Sequence, residues 1–235
     1  MARQNVAGEK PVYWVGSSRG DLLEFPVQVR REMGNALGVA QFGGKHPAAK
    51  PWKGEGAGVF EIVEDFDKDT YRAVYCVRLS GAIYVLHAFQ KKSPKGIKRP
   101  RVTLRWWLGA SNWRERCMRK TMAKKSSASE DRIVRGSGNV FADLGLPDAK
   151  ELHTKLRLAY AINEIVDSRR LTQAGAAELL GVPQPKVSSL KNYKLDGFSV
   201  ERLMTFLTAL DRDVEISIRK RASSRTPAKI TVVAA

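Results

Sequence analysis

Cysteine is nearly absent from this chain of 235 residues. The two that occur, Cys76 and Cys117, cannot form a disulfide framework and do not have the spacing of metal ligands. Long hydrophobic runs are absent too, since the stretch from Ile83 to Leu86 is far shorter than the roughly 20 apolar residues that span a bilayer. Residues 1–10 lack the apolar core of a secretory signal. These absences predict a protein of the reducing cytoplasm with no membrane segment, metal or other cofactor.

Acidic residues are scarce relative to basic ones. The chain has 24 Asp and Glu against 41 Lys and Arg, which gives a net charge of +17 at pH 7. Such an excess predicts a polyanionic partner, most often nucleic acid, although it also describes a very soluble surface. A hydrophobic content of 43% excludes a largely disordered basic tail.

The excess charge is concentrated near the middle of the chain. Residues 99–125 contain nine basic residues and one acidic residue, together with Trp106, Trp107 and Trp113. A serine-rich stretch follows, so a domain boundary is predicted between about 98 and 138. The predicted division is a first domain at 1–98, a basic Trp-rich joint with a Ser-rich linker at 99–138, a second domain at 139–221 and a flexible tail at 222–235. The joint could itself bind nucleic acid through its tryptophans, or it could be a plain linker.

The first domain has the pattern of an α+β fold in which two helices pack on an antiparallel sheet. The helices are predicted around Leu22 and across Val29–Leu37, where apolar residues recur every fourth position. Gly43–Gly58 is predicted as a loop. The β-formers predict strands at Val12–Val15, Val59–Phe66, Thr70–Leu79 and Ile83–Gln90.

Basic side chains gather on this predicted sheet. Arg72 lies in the middle of one strand, and Lys91 and Lys92 end the neighbouring strand, so they can form a common basic surface. A solvent-facing arginine and a lysine pair that protects a sheet edge are the simpler alternatives.

Residues 10–98 resemble the RelE/HigB-type toxins, and more narrowly their phage-related branch. The resemblance rests on five segments: Trp52-Lys53, Val59-Phe60-Glu61, Asp67–Thr70, Tyr71-Arg72-Ala73-Val74-Tyr75 and Val85–Ser93. It implies a metal-independent endoribonuclease that cuts mRNA on the ribosome by attack of the 2′-hydroxyl on the adjacent phosphate. Arg72 would then clamp that phosphate. Lys91, Lys92 and Lys53 would supply positive charge, and His87 would exchange a proton unless it is a packed core histidine.

Two departures from that family leave a second interpretation open. Val63 stands where many relatives have an arginine, and residues 99–121 do not resemble the usual toxin tail. The first half is therefore either a toxin or a catalytically dead binding module.

The second half contains a helix-turn-helix pattern at Leu171–Leu190, after an amphipathic helix predicted at Asp148–Asp167. Thr172 caps the first helix, Ala177 is small where the helices cross, and Gly181 provides the turn. Closing helices and a short strand at Val214–Ile218 are predicted beyond the motif. The side chains expected to face DNA are Gln173, Gln184, Lys186, Ser188, Ser189, Lys191, Asn192 and Lys194.

Residues 122–221 resemble the Xre/Cro-like antitoxins of the HigA kind. Asn139–Pro147, Leu171-Thr172-Gln173, Gly197-Phe198-Ser199 and Leu207–Leu210 carry this resemblance. The two resemblances together imply a cytoplasmic toxin–antitoxin fusion of bacterial or phage origin, with residues 99–121 as the joint. The second half is expected to bind an operator as a homodimer, to repress transcription and to neutralise the toxin half, in cis or in trans. The alternative is a DNA-binding regulator with an inactive first half.

Overall fold

A computed structural model of the chain describes residues 9–52, 58–79, 81–91, 132–218, 220 and 230–232. The chain divides into two compact units. The sheet unit contains residues 11–33 and 48–136, and the helical unit contains residues 1–10, 34–47 and 137–235. Lys53, Lys92 and residues 99–131 of the predicted joint lie outside the described residues.

The sheet unit is built on six strands: β1 (Val12–Val15), β2 (Ala49–Pro51), β3 (Val59–Phe66), β4 (Asp69–Leu79), β5 (Ala82–Lys91) and β6 (Ile133–Arg135). Their order is β2-β3-β4-β5-β1-β6. β1 runs parallel to β5, and the other neighbours are antiparallel. The predicted layout is thus confirmed only in outline, because the sheet is mixed and larger than expected. The short strands β2 and β6 arise in the predicted loop and linker, where three residues are too few for a periodic pattern.

Local sequence explains the central hairpin and its packing. Asp67 and Lys68 both have positive φ angles, 48° and 67°, so they form a two-residue turn whose twist suits β3 and β4. One sheet face buries Trp14, Tyr75 and Ile83, each at most 1% exposed. Helix α1 (Ser18–Leu23) is joined to the sheet through Ser18, whose hydroxyl donates to the Val85 carbonyl.

The helical unit contains the predicted helix-turn-helix. Its helices are α3 (Val140–Asp143), α4 (Ala149–Ser168), α5 (Gln173–Leu180), α6 (Gln184–Lys191) and α7 (Val200–Ala209). Phe141, Leu156, Ile162 and Phe206 form the centre of its core and are at most 1% exposed. The prediction of a strand at Val214–Ile218 was wrong. These residues pair with no described strand, and Ile218 is 94% exposed.

Helix α2 (Val27–Gln41) contributes residues to both units, and its second half belongs to the helical unit. Two of its glycines allow a close approach to that core. A Cβ atom on Gly34 would lie 2.7 Å from Phe141 Cδ1, and one on Gly38 would clash with Leu156 Cδ2. The helical unit is therefore assembled from segments that are far apart in sequence.

Candidate nucleic-acid interfaces

The first candidate site is the sheet face that carries Arg72. Residues directly opposite each other on neighbouring strands share a face. In this register Arg72 lies opposite Phe89 of β5 and Val63 of β3, and Val74 lies opposite His87. Lys91 lies opposite Thr70 on the same face and is exposed. The structure thus places three of the five predicted catalytic residues, Arg72, His87 and Lys91, on one surface; Lys53 and Lys92 lie outside the described residues.

Arg72 on this face is paired with an acidic residue. Its Nη1 atom donates a hydrogen bond to Oε2 of Glu61 at 2.5 Å, and the two side chains are 26% and 17% exposed. The pair is charge-assisted, which makes it stronger than a neutral hydrogen bond. Glu61 therefore neutralises Arg72, and a phosphate group would have to compete with this carboxylate.

An apolar cluster lies beside the ion pair. Val59, Val74 and Cys76 are buried, and four partly buried side chains pack on them: Trp52, Tyr84, Leu86 and Phe89. Tyr84 also stacks on Tyr13 of β1, with ring centroids 5.1 Å apart. The face therefore combines aromatic rings with charged groups, as surfaces that bind single-stranded nucleic acid do.

His87 is partly buried between α1 and this face. Its Nδ1 atom lies 3.9 Å from Oδ2 of Asp21, and its ring stacks on Phe89 with centroids 5.3 Å apart. Burial lowers the pKa of His87, and the Asp21 carboxylate opposes that shift. A lowered pKa favours the neutral imidazole, which can accept a proton.

The second candidate site is the helix-turn-helix, whose turn has the expected local geometry. The Thr172 hydroxyl accepts a hydrogen bond from the Gly175 amide at 3.1 Å and so caps α5. Gly181 ends that helix with a φ of 61°, in the left-handed region that favours glycine. Val187 and Leu190 bury one side of α6. The opposite side of α6 carries exposed polar residues, among them Gln184, Lys186 and Lys191.

The residues predicted to face DNA differ in exposure. Gln184, Lys186, Lys191 and Lys194 are exposed, and those that are half-buried are Gln173, Ser188, Ser189 and Asn192. Lys186 is already engaged, because its Nζ atom donates to the Gly197 carbonyl at 3.2 Å and lies 5.1 Å from the centroid of Phe198.

Three other polar residues of α6 and its C-terminal end also have hydrogen-bond partners, two of them within the same turn of helix. The Ser189 hydroxyl donates to the Pro185 carbonyl, and the Asn192 amide donates to the Ser188 carbonyl. Lys191 pairs with Asp167 at 3.2 Å in an exposed position. Exposed ion pairs contribute little energy, so Lys191 can exchange this partner for a phosphate.

Sequence reasoning did not assign a role to Glu61 or Asn35. Glu61 is placed on the Arg72 face by the alternation of β3, but the sequence does not reveal the register of β3 against β4. Asn35 of α2 donates to the carbonyl of Tyr193, 158 residues away, and no local pattern indicates that contact.

The described residues offer neither a metal site nor a membrane span. No three or more His, Cys, Asp or Glu side chains gather within them as metal ligands would. Within the same part of the chain, no helix is long and apolar enough to cross a membrane.

Comparisons with known proteins match both halves of the chain. Residues 20–104 match the family described as "Phage derived protein Gp49-like", and residues 140–219 match a "Helix-turn-helix domain" family. A solved chain described as a candidate "XRE Family Transcriptional Regulator" is 67% identical over 38% of this chain and 100% of its own length, with a TM-score of 0.37. Part of this chain therefore belongs to the XRE family. No curated protein matches it.

The XRE-family assignment agrees with the helix-turn-helix geometry of α5 and α6. The Gp49-like match covers the last four residues of α1, all of α2 and strands β2 to β5. The chain thus joins a transcriptional-regulator domain to a Gp49-like, toxin-related domain. Strand β6 lies between the two matched segments.

Proposed function

We propose that the protein is a toxin–antitoxin fusion whose C-terminal half binds operator DNA and represses transcription. The observation that carries the proposal is the two-sided character of α6. Val187 and Leu190 are buried on one side, while Gln184 and Lys191 are exposed. A helix fixed by its apolar side can present its polar side to the major groove.

Operator reading is assigned to the first turn of α6. Gln184 is exposed there, and a glutamine amide can bond an adenine edge in a bidentate manner. Lys191, Lys194 and Gln173 are assigned to phosphates, which fix the position of the protein without reading sequence. A homodimer on a palindromic operator is part of this proposal, because two-fold sites match two-fold proteins.

The test compares two glutamines in the full chain. Gln184→Ala should weaken binding to the DNA upstream of the coding region by about tenfold, as expected from the loss of one base contact. Binding to an unrelated duplex should not change. Gln28→Ala, at an exposed position of α2, is the matched control. Equal operator affinity in the two variants would refute the assignment of the recognition helix.

The first half is proposed to be a RelE/HigB-type endoribonuclease that acts on ribosome-bound mRNA. Arg72 would leave Glu61 to bind the phosphate, Lys91 would add positive charge, and His87 would accept or donate a proton. Lys53 and Lys92 keep their sequence-based assignments to phosphate contacts. The support is the shared face of Arg72, His87 and Lys91 together with the Gp49-like match.

Growth arrest and mRNA cleavage test this activity. Residues 1–98, the full chain and residues 1–98 with Arg72→Ala are expressed from one inducible promoter. We expect arrest from the first fragment only. Arrest by both fragments would mean that a misfolded segment is harmful rather than catalytic, and arrest by neither would leave the first half as a binding module.

The second half is proposed to neutralise the toxin half within the same chain, and the position of β6 supports this. This strand lies just before the helix-turn-helix match and pairs with β1, with Val134 opposite Trp14. Val134→Pro removes an amide from the pairing and should make the full chain toxic. Val134→Thr, which keeps the strand, should remain harmless.

A regulator with an inactive first half is the second candidate. Glu61 forms an ion pair with Arg72 and so competes with any phosphate. Val63 lies directly opposite Arg72, at the position where many RelE/HigB-type toxins have an arginine. This candidate predicts operator binding without any mRNA cleavage.

A further inference from the structure

The C-terminal end of the recognition helix is contacted by residues from the first half of the chain. Asn35 of α2 is 4% exposed, and its Nδ2 atom donates a hydrogen bond to the Tyr193 carbonyl at 3.2 Å. Tyr193 lies two residues beyond the end of α6 and is 6% exposed. Both residues belong to the helical unit.

His46 contacts the same point. It is 5% exposed and lies in the loop after α2. Its ring centroid is 5.3 Å from that of Tyr193, and its side chain is hydrogen-bonded to the backbone of Asn192. Two side chains from residues 34–47 therefore meet the two residues that follow α6.

The helix-turn-helix segment supplies a third contact. Asn163 of α4 donates to the Leu190 carbonyl at 3.0 Å. Tyr193 has a φ of 56°, which is uncommon for a bulky residue and persists only where surrounding contacts hold it. The end of α6 is thus held from one side by the helix-turn-helix segment and from the other by the Gp49-like segment.

We propose that Asn35 and His46 are positioning residues for operator reading, so that the Gp49-like segment at residues 34–47 sets the orientation of the recognition helix. The proposal rests on the proposed DNA binding and is independent of toxin activity. It follows that displacing this segment weakens operator binding even though Asn35 and His46 are buried and so do not offer their side chains to DNA. Specific binding depends on helix orientation, whereas non-specific attraction to phosphates does not.

The experiment uses the full chain and a DNA site selected by it from a random duplex library. Asn35→Leu removes the hydrogen bond to Tyr193 and keeps the number and branching of the side-chain heavy atoms. The matched control is Gln41→Leu, because Gln41 lies on the same helix, is 1% exposed and donates to the carbonyls of Lys10 and Gly138 instead of to α6. Both variants lose buried amide hydrogen bonds, and only one loses a contact with the recognition helix.

Affinity for the selected site, affinity for a scrambled duplex and the thermal midpoint are measured for each variant. Asn35→Leu should weaken binding to the selected site about tenfold, the fold-change that corresponds to about 1.4 kcal/mol and to the loss of one buried hydrogen bond. Its affinity for the scrambled duplex should not change. Gln41→Leu should lower the thermal midpoint and keep the affinity for the selected site.

Other outcomes overturn the proposal. If the affinity for the selected site falls equally in both variants, the loss reflects reduced stability. If it falls in neither variant, residues 34–47 do not position α6. If Asn35→Leu fails to fold, His46→Gln repeats the test. Unchanged affinity of His46→Gln for the selected site would likewise show that the segment does not position α6. If the unmodified chain selects no sequence at all, the proposed DNA binding fails and the inference fails with it.

Discussion

The guanidinium of Arg72 is held by the carboxylate of Glu61 from the neighbouring strand. In the register of β3 and β4, Arg72 lies opposite Val63, and Glu61 is two residues before Val63, so the pair is a diagonal one. The arginine that a phosphate would need is therefore neutralised in the described structure. Under the proposed function, Glu61 competes with an RNA phosphate for Arg72.

Removing the charge of Glu61 should strengthen RNA binding. In Glu61→Gln the size of the side chain is kept and Arg72 becomes available to a phosphate. We expect the full chain to bind a single-stranded RNA oligonucleotide about fivefold more tightly, which corresponds to about 1 kcal/mol for a partly exposed pair. The gain should shrink as salt is raised. Fluorescence anisotropy measures both effects.

Glu151→Gln is the control for net charge, because Glu151 is an exposed residue of α4 that pairs with Lys155. If it raises RNA affinity as much as Glu61→Gln does, the gain reflects overall charge, and the sheet face has no special role.

Replacement by alanine should change the free energy of unfolding in opposite directions at two helical glycines. A Cβ atom on Gly34 would meet the Phe141 ring at 2.7 Å, so Gly34→Ala should lower the free energy of unfolding by about 1–3 kcal/mol. Gly20 of α1 is exposed and has no atom within 4 Å of an added Cβ, so Gly20→Ala should raise it by about 0.5–1 kcal/mol. Urea unfolding followed by circular dichroism compares the two. If Gly34→Ala does not lower the free energy of unfolding, the close packing of α2 against α3 is contradicted.

The stability of the turn before α6 should depend on the backbone conformation of Gly181 and not on the space around it. No atom lies within 4 Å of a Cβ added to Gly181, yet its φ is 61°. Gly181→Ala should therefore destabilise the protein by about 1 kcal/mol, whereas Gly181→Asn should cost less because asparagine adopts the left-handed region more readily. Thermal unfolding of the two variants makes the comparison. Equal midpoints would mean that steric space rather than φ governs this position.

Acid should destabilise the protein through His46. Burial lowers the pKa of His46 from 6.5 to about 4, although the hydrogen bond to the Asn192 backbone opposes the shift. Between these two values the unfolded chain binds a proton that the folded chain does not, so stability present above pH 6.5 is lost as the pH falls towards 4. The full loss would be about 3 kcal/mol. His87, whose pKa burial also lowers, adds to the same trend.

Urea unfolding at pH 7.5 and pH 4.5 checks this prediction. His46→Asn removes the titrating group, so the difference in unfolding free energy between the two pH values should become smaller than in the unmodified chain. An unchanged difference would show that His46 does not titrate in the way that its burial indicates.

Sequence reasoning succeeded where the controlling residues are close together along the chain. The helix-turn-helix depends on Thr172, Gly181, Val187 and Leu190, all within 20 residues. Thr172 and Gly181 act on the adjacent backbone, and Val187 and Leu190 mark the apolar side of α6 by their spacing. The central hairpin is also local, because Phe66 and Asp69 pair across a two-residue turn. Val12–Val15 was predicted with its observed bounds.

The failures concern pairings between distant segments. Strand β6 is defined by its pairing with β1, and three residues carry no pattern that would reveal it. The strand predicted at Val214–Ile218 has β-forming residues but no partner among the described strands. For the sheet face, alternation showed which residues could share a side, but the contact between Arg72 and Glu61 required the register.

The sequence by itself determined the local elements of this protein: the central strands, the amphipathic helices, and the capped helices and glycine turn of its helix-turn-helix motif. Only the tertiary structure decided that Glu61 occupies Arg72 and that Asn35 of the Gp49-like segment holds the end of the recognition helix through Tyr193. Capping, turns and periodicity are set by neighbouring residues. The contact between Asn35 and Tyr193 spans 158 residues, and it depends on how whole elements pack.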